Sequence, residues 1–202
     1  SIGMGYYSAT PLTMAKFRAR IDRDPKPMEH LSRRLNRQKN FVLEGAAYSR
    51  PKGSKGALLT EGEINIGGTA KIVKMLQCGS TKSNVTTSKV NISGNADVPM
   101  LYLGGHTDNK SVESVIVNIS GGTFNGGKAT KGGFLWTEDD CDINITGGTI
   151  TGCEASQDGG LFWLGGGAKM NISGGTIEGG TAAGVGDGIY IVDATVTVSG
   201  DA

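Results

Sequence analysis

Little in this 202-residue chain is of the kind that builds an ordinary reaction centre: it has two histidines, three cysteines, five prolines and only 6% aromatic residues. No apolar run approaches the roughly 20 residues that a membrane-spanning helix needs, so no membrane span is expected. Cys78, Cys141 and Cys153 include no Cys-x-x-Cys pair and no metal-ligand spacing. They fall at different places in the repeat described below, so buried or idle thiols are expected, with a Cys141 to Cys153 disulfide left open. Ser1 to Thr13 lacks a basic start followed by an apolar stretch, the pattern of a secretory leader. No cofactor or metal is implied. The one segment resembling a calcium-binding nonapeptide, Gly184 to Val192, lacks the tandem copies that give that motif weight.

Glycine, by contrast, is abundant: 34 residues, 29 of them between positions 61 and 202. They punctuate six copies of one short pattern, spaced by 26 or 27 residues, that begin at Asn65, Asn91, Asn118, Asn144, Asn171 and Thr197. Around each copy aliphatic residues alternate with Asn, Ser and Thr: Val115, Val117 and Ile119 against Ile116, Asn118 and Ser120, or Ile143 and Ile145 against Asn144 and Thr146. Period two places the aliphatics inside and the polar residues outside a strand. A Gly-Gly pair then breaks the strand, and Phe124, Ile150 or Ile177 restarts it after a corner. A second apolar run follows in every unit: Ile72 to Leu76, Met100 to Leu103, Phe134 to Trp136, Leu161 to Leu164, and Ile189 to Val192. Two or three short strands per unit, stacked at about 4.8 Å, describe a solenoid coil.

On this period and pattern, residues 40 to 202 resemble the right-handed parallel β-helix superfamily, as seen in pectate-lyase-like proteins and in bacterial surface proteins with SGGT-type repeats. The resemblance implies an all-β solenoid of about six coils, with handedness taken from the family and from the preference of parallel crossovers. The expected division is a basic N-terminal arm with a capping helix over 1–38, then β-helix repeats over 39–202. The chain stops inside a copy of the repeat, at Val196 to Ala202, which reads as a piece of a longer solenoid or as a last coil that meets a partner.

Charge divides the chain. Residues 1–60 hold 12 Lys/Arg against 4 Asp/Glu, a balance of +8, whereas 61–202 hold 8 against 15, a balance of −7. A basic segment on an acidic solenoid suits docking onto its own solenoid or plain solvation. No nucleic-acid motif accompanies it, so nucleic acid is not the favoured partner. Lys16 to Ile21 reads as a strand with one apolar face. Asp24 or the Pro pair after it starts a helix that places Met28, Leu31 and Leu35 on one stripe. Such a helix would cover the exposed first coil, since an open solenoid end leaves strand edges and core unpaired.

Four copies contain Asn-x-Ser/Thr, at Asn91, Asn118, Asn144 and Asn171. These are formal glycosylation acceptors, but aligned Asn and Ser/Thr in stacked coils are expected to form hydrogen-bonded ladders. The second strands are apolar at consecutive positions, so not every residue points inward. Two columns are expected, Phe134, Leu161 and Ile189 with Trp136, Trp163 and Ile191, and Leu135, Phe162 and Tyr190, continuing to Leu101. One of them must form an exposed, partly aromatic stripe. Trp136, Trp163, Leu135, Phe162 and Tyr190 are therefore the candidate binding residues, for protein or for sugar rings. The loops supply the only catalytic material: His106, Asp108, Lys110, Glu138, Asp139 and Asp140 would stand on neighbouring coils. In the resembled superfamily, hydrolases and lyases that act on polysaccharides cluster carboxylates with a His, Lys or Arg on one face.

The function expected from the sequence is a non-catalytic extracellular or cell-surface module, structural and adhesive, that meets protein or glycan through its solenoid face. Homo-oligomers or a solenoid continuing past the last coil would fit that role. The alternatives are a component of a larger, phage-like assembly joined through the basic arm, and a polysaccharide lyase or hydrolase with His106, Asp108, Asp139 and Asp140 as its catalytic candidates.

Overall fold

The computed structural model describes residues 40–44, 47–49, 62–73, 76–78, 88–103, 115–137 and 140–201. The arm, the capping helix and the loop residues His106, Asp108, Lys110, Glu138 and Asp139 lie outside them. Among the described residues the chain is all β and its strands pair in parallel, giving a solenoid of about four turns where six coils are expected from the repeats.

The spine is a seven-stranded sheet in the order β1 (Asn40–Glu44), β3 (Gly62–Gly67), β6 (Ser88–Ile92), β8 (Val115–Asn125), β11 (Cys141–Thr151), β14 (Ala168–Glu178) and β17 (Ala194–Val198). A second sheet stacks β5 (Leu76–Cys78), β7 (Leu101–Leu103), β10 (Leu135–Thr137), β13 (Phe162–Leu164) and β16 (Ile189–Ile191). A third joins β9 (Lys128–Ala129), β12 (Glu154–Ala155) and β15 (Thr181–Ala182). β2 (Ala47–Ser49) pairs with β4 (Lys71–Val73), so the expected run from Ile72 to Leu76 divides between β4 and β5.

The glycine pairs do not end the strands. β8, β11 and β14 each run 11 residues through the pair, and the pairing register shifts around it. In β8 the inward residues are Val115, Val117 and Ile119, then Phe124; the pair makes a bulge that switches which parity faces the core. Its two glycines have separate reasons. The second adopts a positive φ (106° at Gly122, 96° at Gly148, 97° at Gly175). At the first, a Cβ on Gly147 or Gly174 would press the carbonyl oxygen of Ser120 or Thr146 in the coil below at 2.6 Å.

The core is one continuous column of aliphatic side chains threaded by Phe124, Phe134 and Phe162, whose ring centroids follow at 4.9 and 5.7 Å. Each fully buried aromatic or large aliphatic contributes about 1.5–3 kcal/mol by leaving water. Thr137, in register with Leu103 and Leu164, is a buried polar residue, and the Cys141 thiol donates to its hydroxyl oxygen at 3.5 Å. Cys141 and Cys153 are both buried and are not joined to each other by a disulfide.

Candidate functional site: an aromatic column on a laddered rod

Outside the spine sheet, the Asn residues bond as the repeat predicts. Each amide Nδ2 donates to the Oδ1 of the coil before it: Asn91 to Asn65 (2.9 Å), Asn118 to Asn91 (2.9 Å), Asn144 to Asn118 (3.0 Å) and Asn171 to Asn144 (3.1 Å). Asn91 also donates to the Glu63 carboxylate at 2.7 Å. The hydroxyls behave differently from a side-chain ladder. Ser120 Oγ and Thr146 Oγ1 donate to backbone carbonyls of the preceding coil, at Ile92 (3.5 Å) and Ile119 (3.4 Å). Parallel in-register strands repeat the same side chain at strand spacing, which lets one amide serve as donor upward and acceptor downward.

On the second sheet the register corrects the expected columns. Leu101, Leu135, Phe162 and Ile189 pair in one row, and Tyr102, Trp136, Trp163 and Tyr190 in the next. Leu135 and Phe162 are 0% exposed and belong to the core, so they are not surface binding residues. Their strands read inward, outward, inward: Leu135 and Thr137 pack inside and Trp136 lies between them, less buried than either. The outward row therefore joins Trp163 to Tyr190, not to Ile191, and its members in β10, β13 and β16 are aromatic.

The described rings of this row touch. Trp136 and Trp163 meet edge to face, with centroids 6.4 Å apart and planes at 89°, and Trp163 and Tyr190 lie at 6.1 Å with planes at 33°. Such pairs contribute about 0.5–1.5 kcal/mol beyond their area. Lys131, on the turn leading into β10, holds its ammonium 4.5 Å from the centroid of Trp163 and 5.9 Å from that of Trp136. Gly165 leaves room for the indole, since a Cβ there would stand 2.9 Å from Cζ3 of Trp163. Trp163 is only 7% exposed, whereas Trp136 and Tyr190 are half-buried. The Trp163 Nε1–H is buried and has no hydrogen-bond acceptor among the described residues. The sequence carries no sign of Lys131's place in this cluster, because it reaches Trp163 from the neighbouring coil.

Of the catalytic candidates, Asp140 is described and is exposed; His106, Asp108 and Asp139 lie outside the described residues. Among the described residues no three His, Cys, Asp or Glu side chains stand close enough to share a metal ion. Among the described residues, Lys71 pairs with Asp97 at 3.4 Å and Lys128 with Glu154 at 2.8 Å, each across coils on the surface. At these exposures each is worth little. Burial pushes the Cys153 thiol above its ordinary range, outweighing the opposing hydrogen bonds of the Gly127 and Gly126 backbone. It is therefore not a ready nucleophile near neutral pH.

Searches of protein-family models, of curated proteins and of solved structures return no match to this chain.

Proposed function

We propose that this chain is a non-catalytic β-solenoid module of an extracellular or cell-surface protein, similar to SGGT-type repeat surface proteins, that works as a structural and adhesive rod. The observation that carries the reading is the Asn ladder from Asn65 to Asn171, which locks successive coils in one register. Locked register keeps every outward row straight. A row of aromatic side chains on such a rod presents repeated weak contacts at fixed spacing, and these add by multivalency. The partner, protein or glycan, meets the rod along the Trp136, Trp163 and Tyr190 row.

The charge split between residues 1–60 and 61–202 favours a second reading, a component of a larger assembly joined through the basic arm. Light scattering on the whole chain and on a variant lacking residues 1–38 separates the two. The adhesive module is expected to keep the same state of assembly in both forms. An oligomer or filament that requires the arm overturns it in favour of the assembly component, and release of reducing ends from an acidic polysaccharide overturns it in favour of an enzyme.

A further inference from the structure

We propose that Asn125 and Gly126 form a site of spontaneous deamidation, which the fold restrains and whose isoaspartyl product the coil does not accommodate. The site is independent of any partner along the aromatic row.

Neighbouring residues single it out. Asn125-Gly126 is the one Asn-Gly pair of the chain, whereas Asn65, Asn91, Asn118, Asn144 and Asn171 are each followed by Ile. A β-branched residue crowds its own backbone nitrogen, and glycine leaves that nitrogen open. The ladder amides are also held, since each Nδ2 from Asn91 to Asn171 donates to the coil before it. Asn125 is exposed, and among the described residues no hydrogen bond holds its amide. Gly126 is exposed as well, and nothing stands within 4 Å of the place its Cβ would take. The two Asp-Gly pairs, which could close the same ring, have a carboxylate oxygen pinned: Asp158 accepts from the Val185 N–H and Asp187 from the Ala182 N–H, both at 2.9 Å.

The reaction needs no partner but water. The Gly126 backbone nitrogen loses its proton and bonds to Cγ of Asn125. The Cγ–Nδ2 bond breaks, ammonia leaves with that proton, and a five-membered succinimide remains. Water then opens the ring at one of its two carbonyls. Opening at Cγ gives aspartate. Opening at the main-chain carbonyl of residue 125 gives isoaspartate, in which the backbone runs through Cβ and is one atom longer.

Packing sets both the pace and the outcome. The Gly126 N–H donates to the Thr151 carbonyl oxygen of the next coil at 3.2 Å, and that oxygen also accepts the Cys153 thiol at 3.4 Å, so the nitrogen is engaged until this edge opens. Asn125 is the last residue of β8, where opening requires only that a strand end fray. Aspartate keeps the backbone path and holds its carboxylate in solvent. Isoaspartate lengthens the chain just before Gly127, which has no room to shift. A Cβ at Gly127 would collide with the carbonyl oxygens of Gly133 and Pro99, and the Gly127 carbonyl accepts the Glu154 N–H at 2.8 Å, tying its coil to the next.

The test is prolonged incubation of the whole chain at mildly alkaline pH, folded and, in parallel, unfolded in guanidinium chloride, read by peptide mapping and mass spectrometry. A mass gain of one dalton at Asn125, ahead of every other asparagine, is expected in both samples, and about tenfold or more slower in the folded one. Asn125→Gln, which would have to close a six-membered ring, should show no gain at that position. Ion exchange then separates the aged fractions. Asn125→Asp and the aspartyl fraction should unfold in urea at the parent's midpoint, and the isoaspartyl fraction, identified by isoaspartyl methyltransferase labelling, at a lower one. The proposal is overturned if another asparagine converts first in the folded chain, if folded and unfolded chains convert equally fast, or if the isoaspartyl fraction keeps the parent's midpoint.

Discussion

Asn118→Ala should cost more than Asn171→Ala, although both remove the same side chain from equivalent places in the repeat. Asn118 donates to Asn91 at 2.9 Å and accepts from Asn144 at 3.0 Å, whereas Asn171 makes the single ladder bond to Asn144 at 3.1 Å and pairs in register with Thr197. A hydrogen bond contributes about 0.5–1.5 kcal/mol net; Asn118 is half-buried and Asn171 exposed, so water recovers part of each loss, and more of it at Asn171. Removing two bonds predicts a loss of about 2 kcal/mol for Asn118→Ala, and removing one predicts about 1 kcal/mol for Asn171→Ala. The double variant Asn118→Ala with Asn144→Ala is more telling, because the bond between them is counted in both single variants. It should fall short of additivity by about one bond, roughly 1 kcal/mol. Equilibrium unfolding in urea, followed by far-UV circular dichroism, reads the parent, the single variants at Asn118, Asn144 and Asn171, and the double variant. Equal costs at Asn118 and Asn171, or strict additivity of the double variant, would refute the ladder as the element that couples the coils.

Three further perturbations test the packing. Phe162→Ala empties a fully buried position and should cost about 3–5 kcal/mol, against about 1–2 kcal/mol for Trp136→Ala on the half-buried row; the reverse order in denaturant midpoints would contradict the register of the second sheet. A Cβ added at Gly160 would collide with the Asp187 carbonyl and the Thr181 backbone nitrogen. Gly126 opens onto free space, so Gly160→Ala should lower the melting temperature well beyond the loss from Gly126→Ala, whose cost is only the positive-φ strain of about 1–2 kcal/mol. The Cys153 thiol should resist alkylation in the folded protein at neutral pH and react on unfolding. Because its pKa is raised in the fold from an ordinary value of 9.0, its effect on stability is absent below that value; stability should then fall as pH rises through 9 toward the native pKa, and a Cys153→Ser comparison by pH-dependent melting isolates that loss.

The alternation within each repeat was enough to assign inside and outside along the spine. Val115, Val117 and Ile119 are buried and Asn118 faces out because a strand has period two whatever surrounds it. The equal spacing of the Asn residues then implied the ladder, since parallel coils bring equivalent positions together. A Gly-Gly pair marked a special backbone, but sequence periodicity does not distinguish a strand end from a bulge. That depends on whether the coil below offers hydrogen-bond partners on both sides of the pair, and it does.

The second sheet shows the boundary more sharply. Its strands are only three residues long, and β7, β13 and β16 are apolar throughout, so alternation carries no signal there. Aligning Trp163 with Ile191 or with Tyr190 differs by one residue, and a one-residue slip turns every side chain over. The sequence by itself determined a stack of parallel strands with aliphatics inside and amides outside, because those follow from local period and repeat length. Only the tertiary structure decided that Leu135 and Phe162 are core, that Trp136, Trp163 and Tyr190 share one row, and that Lys131 covers it. These depend on how many residues each connecting segment spends between coils, which the backbone hydrogen bonds of the stacked sheet select.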